Sequence, residues 1–142
     1  MSTIKQLSVF LENKSGRLHE ALEVLGSENI NLTALTVADT QEYGILRLLV
    51  SDPDTASQKL KTSGFKVSLT DVIALSVSHI AGSLAKALKE FSVENLSIEY
   101  TYAFSLGDKA IAVLRTENHE KAFEIIKKNN FTLISQDEIK NI

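Results

Sequence analysis

The first residues of the chain alternate between apolar and other positions. Leu7, Val9 and Leu11 occupy every second position, which is the pattern of a β-strand that buries one face. The next apolar residues recur at intervals of three and four and end close to Gly26, which predicts an amphipathic helix. The apolar positions of that helix are Leu18, Ala21, Leu22 and Leu25. A strand followed directly by a helix is therefore expected.

Three more strands and a second helix follow before residue 70. Strand patterns cover Ile30 to Ala38, Ile45 to Val50 and Phe65 to Leu69, with a turn at Asp39-Thr40-Gln41-Glu42. Asp52 and Pro53 are typical of a helix start, because Asp accepts hydrogen bonds from free backbone N–H groups and Pro lacks that N–H group. Gly64 predicts the end of this helix.

The same order of elements returns 66 residues later. Eleven identities share this register, among them Gly16 with Gly82 and Glu28 with Glu94. So long a match indicates a duplicated module. The second copy is predicted to contain a strand at 72–78, a helix at 83–93, a strand at 96–105, a turn at Leu106-Gly107-Asp108, a strand at 110–115, a helix at 119–129 and a strand at 131–135. We expect two domains, 1–70 and 71–142.

Each copy follows the order β-α-β-β-α-β. This is the order of the ferredoxin-like fold, an α+β arrangement in which a four-stranded antiparallel sheet carries two helices on one face. The fold hosts RNA binders, metal carriers, small enzymes and ligand sensors, so the function has to be argued from the site.

The turn between the first strand and the first helix is the most informative segment. Gly16 permits close approach of a ligand to the backbone, and the helix N-terminus behind it offers unpaired N–H groups to a carboxylate or phosphate. The amides of Asn13 and Asn31 donate and accept, which suits a ligand with both a carboxylate and an ammonium group. Asn is disfavoured inside strands, which favours a functional role for Asn31. Simpler roles stay open: turn geometry for Gly16, capping for Asn13, and a surface ion pair between Arg17 and Glu20.

These motifs resemble the ACT domain, a small regulatory module that senses amino acids. The matching segments are Asn13-Lys14-Ser15-Gly16-Arg17-Leu18, without the proline common in this turn, and Glu28-Asn29-Ile30-Asn31-Leu32. The resemblance covers most of both units and implies a free-standing tandem ACT protein. It also implies that ACT units pair edge to edge through their second strands into an eight-stranded sheet, with small effectors bound at the seam.

The same resemblance implies ligand-binding residues in both units. In the first unit they are Asn13, Lys14, Ser15, Gly16, Arg17, Leu18, Asn31 and Leu32, and in the second unit His79, Ile80, Ala81, Gly82, Ser83, Leu84, Ser97 and Ile98. His79 fits an effector contact or an exposed surface residue equally well. Because Ser97 stands in the place of Asn31, two unequal seams are expected.

Composition narrows the class of protein. The net charge of -3 disfavours a nucleic-acid surface. The absence of cysteine excludes disulfides and Cys-ligated metals, and no apolar run is long enough to span a bilayer. The N-terminal residues lack an export-signal pattern, so a cytoplasmic protein is expected.

The main competing class is an RNA-binding protein of the same fold, in which bases stack on aromatic strand residues. The second unit carries the row Tyr100, Tyr102 and Phe104, whereas the first unit has Ala34, Thr36 and Ala38 in the equivalent positions. We therefore interpret the row as core or seam packing. Neither His19 nor His119 has a partner at metal-ligand spacing, and no catalytic motif is found.

The sequence therefore predicts a regulatory protein that is not an enzyme, needs no cofactor or metal, and binds a free amino acid at the seam between ACT domains. A protein-interaction adaptor that lacks the ligand is the alternative. The expected partners are a second copy of the chain, in a homodimer, and a metabolic enzyme or regulator. Nucleic acid and membrane are not expected as partners.

Overall fold

The computed structural model describes residues 1–39 and 42–142, which form seven strands and five helices. In chain order these are β1 Ile4–Glu12, α1 Arg17–Ser27, β2 Leu32–Asp39, β3 Tyr43–Val50, α2 Pro53–Thr62, β4 Lys66–Ser78, α3 Ser83–Val93, β5 Tyr100–Leu106, β6 Lys109–Arg115, α4 His119–Lys128, β7 Thr132–Leu133 and α5 Gln136–Lys140. Thr40 and Gln41, at the centre of the turn predicted after β2, lie outside the described residues.

The chain divides into two compact units, and each of them includes a short terminal segment from the other half of the sequence. The N-terminal unit comprises Lys5–Asp71 together with Gln136–Ile142. The C-terminal unit comprises Val72–Ser135 together with Met1–Ile4. A division by sequence repeat alone, at 1–70 and 71–142, would place both chain ends in the other unit.

The two sheets have the same strand pairing. In the N-terminal unit the order is β2-β3-β1-β4, and in the C-terminal unit it is β5-β6-β4-β7. Leu7 lies opposite Leu48 in the first sheet, and Ile73 lies opposite Leu114 in the second. Both residues of the second pair are 66 positions beyond those of the first, so the sequence register is also the pairing register.

Each unit has its own apolar core on the helix-covered face of its sheet. Ala21 and Leu25 are the buried residues of α1, and Ala87 and Phe91 are those of α3, at the same two places in the register. A fully buried Leu or Phe side chain stabilises the fold by about 1.5–3 kcal/mol. The helical stripe seen in the sequence therefore faces the core, as predicted.

The number of strands differs from the eight predicted. The last strand of the first repeat and the first strand of the second are one continuous strand of 13 residues, β4. No Gly or Pro interrupts the sequence between Lys66 and Ser78, so nothing in the backbone forces a break. The first half of β4 completes the N-terminal unit and its second half begins the C-terminal unit.

Other elements also differ from the prediction, and β2 begins at Leu32 rather than at Ile30. β5 begins at Tyr100 rather than at residue 96, and β7 contains only two residues. The helix α5, which lacks an apolar stripe long enough to predict it, has Ile139 fully buried in the N-terminal unit. Tertiary burial, rather than periodicity, defines this short helix.

The second strands do not form the seam predicted from the resemblance. Within the described residues β2 pairs with β3, and β5 pairs with β6. Each of these strands is the last in its pairing order, so among residues 1–39 and 42–142 no strand lies beside its other edge. In the described part of the chain, no helix is long and apolar enough to cross a bilayer.

Candidate functional site

The two turns that precede α1 and α3 have one backbone conformation. Gly16 and Gly82 each have φ 87° and ψ −9°, a left-handed conformation that favours glycine. The amide of Glu20 donates to the Gly16 carbonyl at 2.9 Å, and that of Lys86 donates to the Gly82 carbonyl at 3.0 Å. Turn geometry thus accounts for both glycines, whether or not a ligand binds there.

Neither helix is capped by a side chain at its start. The second and third residues of α1, Leu18 and His19, therefore present backbone N–H groups that the helix itself does not satisfy. These groups lie at the positive end of the helix dipole, which favours an anion. This arrangement suits the carboxylate of a small ligand.

The polar residues of the first turn are exposed. Asn13, Lys14 and Ser15 are open to solvent, and the Lys14 ammonium lies 3.0 Å from a Glu12 carboxylate oxygen. The hydrogen bond and positive charge of Lys14 lower the pKa of the Glu12 carboxyl below its usual value. The side chains of this turn are therefore accessible to a ligand.

Arg17 forms the ion pair with Glu20 that the sequence suggested, with 2.7 Å between Nη1 and Oε2. The Arg17 guanidinium also lies 4.2 Å from the centre of the Phe65 ring, a contact that the sequence did not predict. This cation–π contact holds the side chain against the body of the unit.

The prediction that Asn31 lies inside a strand is wrong. Asn31 comes immediately before β2 rather than inside it, so the low strand preference of Asn does not apply. Its backbone N–H donates to Ser51 Oγ at 3.0 Å, and its side-chain amide donates to the Ile142 carbonyl at 3.5 Å. Leu32 begins β2 and is half-buried. Asn31 thus has structural contacts, although it remains exposed.

The second set of predicted residues divides between two places. His79, Ile80 and Ala81 are exposed on their turn, and Ser83 and Leu84 are half-buried at the start of α3. Ser97 and Ile98 lie before β5 and line a cavity of about 500 Å³ between α3 and that segment. The structure does not bring all the predicted residues of this unit into one cavity.

Two further cavities, one in each unit, were not predicted. The cavity in the N-terminal unit has a volume of about 340 Å³ and is lined by Phe10, Leu11, Glu12, Arg17, Tyr43, Gly64 and Lys66. A cavity in the C-terminal unit is lined by, among others, the seven residues 66 positions further on, Ser76, Val77, Ser78, Ser83, Lys109, Asn130 and Thr132. The duplication therefore extends to a duplicated cavity.

Among these lining residues, the sequence had indicated Arg17 and Ser83 as ligand-binding residues. Phe10, Tyr43 and Lys66 were missed because each looks like an ordinary exposed strand residue. A comparison of the two repeats at these positions would have found them, because an aromatic or a cation in the first unit is replaced by Ser, Lys or Thr in the second.

Other candidate groups have local roles. His19 lies 3.4 Å from Glu23, and His119 lies 3.2 Å from Arg115. Among the described residues, no group of three or more His, Asp and Glu side chains is placed to hold a metal. The side chains of Tyr100, Tyr102 and Phe104 are half-buried on β5 and lie outside the core cluster of their unit.

Comparisons with known proteins relate the whole chain to one family. A family model described as an ACT domain pair matches residues 2–142. The structure is similar to protein BT0572 from Bacteroides thetaiotaomicron, with a TM-score of 0.94, 45% identity, and coverage of 99% of this chain and 98% of that chain.

More distant similarity extends to two proteins with named roles. The ligand-free regulatory subunit of aspartate kinase from Thermus thermophilus has a TM-score of 0.67 at 13% identity, with 89% of this chain and 93% of that chain covered. The corresponding subunit from Thermus flavus has a TM-score of 0.63 at 14% identity, with 90% and 93% covered. These two likenesses concern the fold alone. A comparison with curated proteins gives no match.

Proposed function

Because the chain belongs to the family of ACT domain pairs, we propose that it is a non-catalytic regulatory protein that binds a free amino acid. The observation that carries this proposal is the uncapped start of α1 behind Gly16, with exposed polar side chains beside it. Backbone N–H groups there would receive the α-carboxylate, and the amides of Asn13 and Asn31 would receive the ammonium group.

We propose that the site is completed by a second copy of the chain. In the part of the chain that the structure describes, no strand lies beside the outer edge of β2, and the apolar side chains of Leu35 and Val37 on β2 are 47% and 45% exposed. An exposed apolar edge strand tends to pair with another strand. Pairing of β2 with a second copy would cover these side chains and place Asn31 and Leu32 near the seam.

The effector would act by favouring one of two states of this dimer, because a ligand shifts an equilibrium only through different affinities for the two states. Regulation would then pass to a metabolic enzyme or regulator that recognises one state. We place this protein in the cytoplasm, where free amino acids would be its signal.

Calorimetry of the full chain against each free amino acid tests the ligand. Saturable binding of at least one amino acid at millimolar concentration or below is expected. Asn31→Ala should weaken it about tenfold, as expected for the loss of a hydrogen bond to a charged group. The matched variant Ser97→Ala, in the equivalent position of the C-terminal unit, should change the affinity less. No binding by any amino acid would rule out the sensor and leave the adaptor as the better hypothesis.

Light scattering after size-exclusion chromatography tests the dimer. The unmodified chain should elute as a dimer, and Val37→Lys should convert it to a monomer, because a charge at the paired edge opposes association. Ala103→Lys, at the equivalent position of β5, is the matched control. A monomeric unmodified chain would contradict the proposed seam.

A further inference from the structure

The cavity inside the N-terminal unit differs from its duplicate in the chemistry of its walls. Arg17 and Lys66 supply two cations, and Phe10 and Tyr43 supply two aromatic rings. The corresponding residues of the C-terminal unit are Ser83, Thr132, Ser76 and Lys109, respectively. The C-terminal cavity is also lined by two lysines, Lys86 and Lys109, and by Glu90, but it has the one aromatic ring of Phe131. The two cavities therefore differ in their aromatic rings and in Arg17 rather than in their balance of charge.

The cations of this cavity are held in place while parts of them stay without partners. The Arg17 guanidinium is fixed by Phe65 and Glu20, and its Nε is buried without a hydrogen bond among the described residues. The Lys66 ammonium lies 5.7 Å from the centre of the Phe10 ring. Within the described part of the chain, Lys66 forms no ion pair with a carboxylate.

The balance of charge favours a single negative charge in the cavity. Its ionised lining residues are Arg17, Lys66 and Glu12, so one positive charge is left over. The neighbouring Lys14 and Glu20 carry opposite charges and do not change this balance. The ionised Glu12 carboxylate repels any anion, and it repels a dianion twice as strongly as a monoanion.

The rings favour a ligand with an apolar body. The side chains of Phe10 and Tyr43 are 43% and 52% exposed, so each ring has a face or edge available. A cavity of about 340 Å³ lies within the range of about 300–1,000 Å³ that small-molecule sites occupy. Arg and Lys would hold a carboxylate at one end, and the rings would contact the remainder.

We propose that this cavity is a binding site for a small monocarboxylate with an aromatic or branched apolar body, next to the proposed amino-acid site at the seam and sharing Arg17 with it. Arg17 belongs to the turn at 13–18 as well as to the cavity, but Lys66, Phe10 and Tyr43 belong to β4, β1 and β3, not to this turn or to β2, and variants are made at these three residues. The two sites can therefore be tested one without the other.

Phenylacetate is a suitable probe, and NMR titration of the full chain measures its affinity and place of binding. Saturable shifts should centre on the cavity residues, with a Kd of about 1 mM or lower. Acetate, which lacks the ring, and 2-phenylethanol, which lacks the charge, should each bind at least tenfold more weakly. Equal binding of either compound would overturn the proposal, and so would tighter binding of inorganic phosphate.

Lys66→Ala and Lys109→Ala form a matched pair, because the two lysines line the equivalent cavities and both are exposed. Lys66→Ala should weaken phenylacetate about tenfold, whereas Lys109→Ala should leave it unchanged. Equal effects of the two variants would overturn the proposal. Amino-acid binding at the seam should be the same in Lys66→Ala as in the unmodified chain, so failure of one proposal does not imply failure of the other.

Discussion

The two units of this chain have nearly the same backbone but different side chains at the exposed positions and in the cavities. Their turns share φ and ψ at Gly16 and Gly82, and their helices α2 and α4 start with side-chain caps at Asp52 and Asn118. Their cavities, in contrast, share position but differ in the side chains at equivalent places, where Phe10, Arg17 and Lys66 are replaced by Ser76, Ser83 and Thr132. Duplication therefore preserved the residues that set the backbone and left the exposed ones free to diverge.

The largest difference between the two units, among the described residues, is α5. This helix belongs to the N-terminal unit, and the C-terminal unit has no equivalent helix. Ile139 on α5 is only 1% exposed. Ile139→Ala should lower the free energy of unfolding by about 2–4 kcal/mol, through lost burial and the cavity left behind. Chemical denaturation measures this loss. Hydrogen exchange should locate it at β2 and β3, since the carbonyl of Ile139 accepts from Thr33 Oγ1 at 3.4 Å.

Ile142→Ala is the control for this prediction, because Ile142 lies two residues beyond α5 and is 39% exposed. It should cost much less stability. If Ile139→Ala lowered hydrogen-exchange protection equally in both units, α5 would stabilise the whole chain rather than one unit, which would contradict the prediction.

Alanine substitution at the two turn glycines tests whether a side chain at these positions costs the same free energy of unfolding in both units. Gly16→Ala and Gly82→Ala should each lower the free energy of unfolding by about 1–2 kcal/mol, because a side chain is strained at φ 87°. Thermal and urea unfolding measure both. A loss at Gly16 alone would contradict the view that turn geometry accounts for both glycines.

Gly26→Ala is an informative control with the opposite expected sign. Gly26 lies within α1, has no positive φ and has open space where a methyl group would be added. Alanine there should stabilise the protein by about 0.5–1 kcal/mol.

The side-chain caps of α2 and α4 differ in charge, so their contributions to the free energy of unfolding should depend differently on pH. Asp52 accepts from the Thr55 N–H at 3.2 Å, and hydrogen bonds from Thr55 lower the pKa of the Asp52 carboxyl. The stabilisation that comes from its ionised form is present above the pKa of the unfolded chain and is lost as pH falls through the folded value. Asp52→Ala should cost about 1 kcal/mol at neutral pH, and less in acid.

Asn118 accepts from the Lys121 N–H at 3.0 Å without an ionisable group. Asn118→Ala should therefore cost a similar amount at every pH. Asp52→Asn, which installs the cap of the other unit, should retain most of the stability and remove the pH dependence. Unfolding monitored from neutral to acidic pH compares the three variants, and parallel pH profiles for Asp52→Ala and Asn118→Ala would contradict this account.

The smallest effect is expected at Glu99, in the C-terminal unit. A hydrogen bond shared with Glu117 raises the pKa of the Glu99 carboxyl; burial and the Glu117 charge act in the same direction, and Arg115 opposes them. The equivalent residues of the N-terminal unit are uncharged, with Thr33 in place of Glu99 and Ser51 in place of Glu117.

Because the pKa is raised, the stability that depends on protonated Glu99 is present below the unfolded pKa and is lost as pH rises through the folded value. Glu99→Gln should therefore gain stability relative to the unmodified chain as pH rises, in a series of thermal melts. Glu124→Gln, which changes an exposed carboxylate on α4, serves as the control. A difference that shrinks with rising pH would show that the ion pair with Arg115 dominates.

Much of the fold could be predicted because periodicity and turn residues are local signals. Leu7, Val9 and Leu11 face the core as their alternation indicates, and Asp52 caps α2 as expected. The resemblance supplied the family, and the 66-residue register supplied the duplication. The residues of the predicted ligand turns were placed correctly along the backbone, but their role in binding stays a prediction.

Tertiary structure alone decided what depends on residues distant in the chain. The fusion of two predicted strands into β4 required pairing partners on both halves of that strand, and α5 forms where burial of Ile139 compensates for a short helix. The cavity of Phe10, Tyr43 and Lys66 is assembled from three strands, so no local pattern marks it. By itself the sequence determined two copies of one backbone, because backbone preferences are local; their different surfaces come from side chains that only folding brings together.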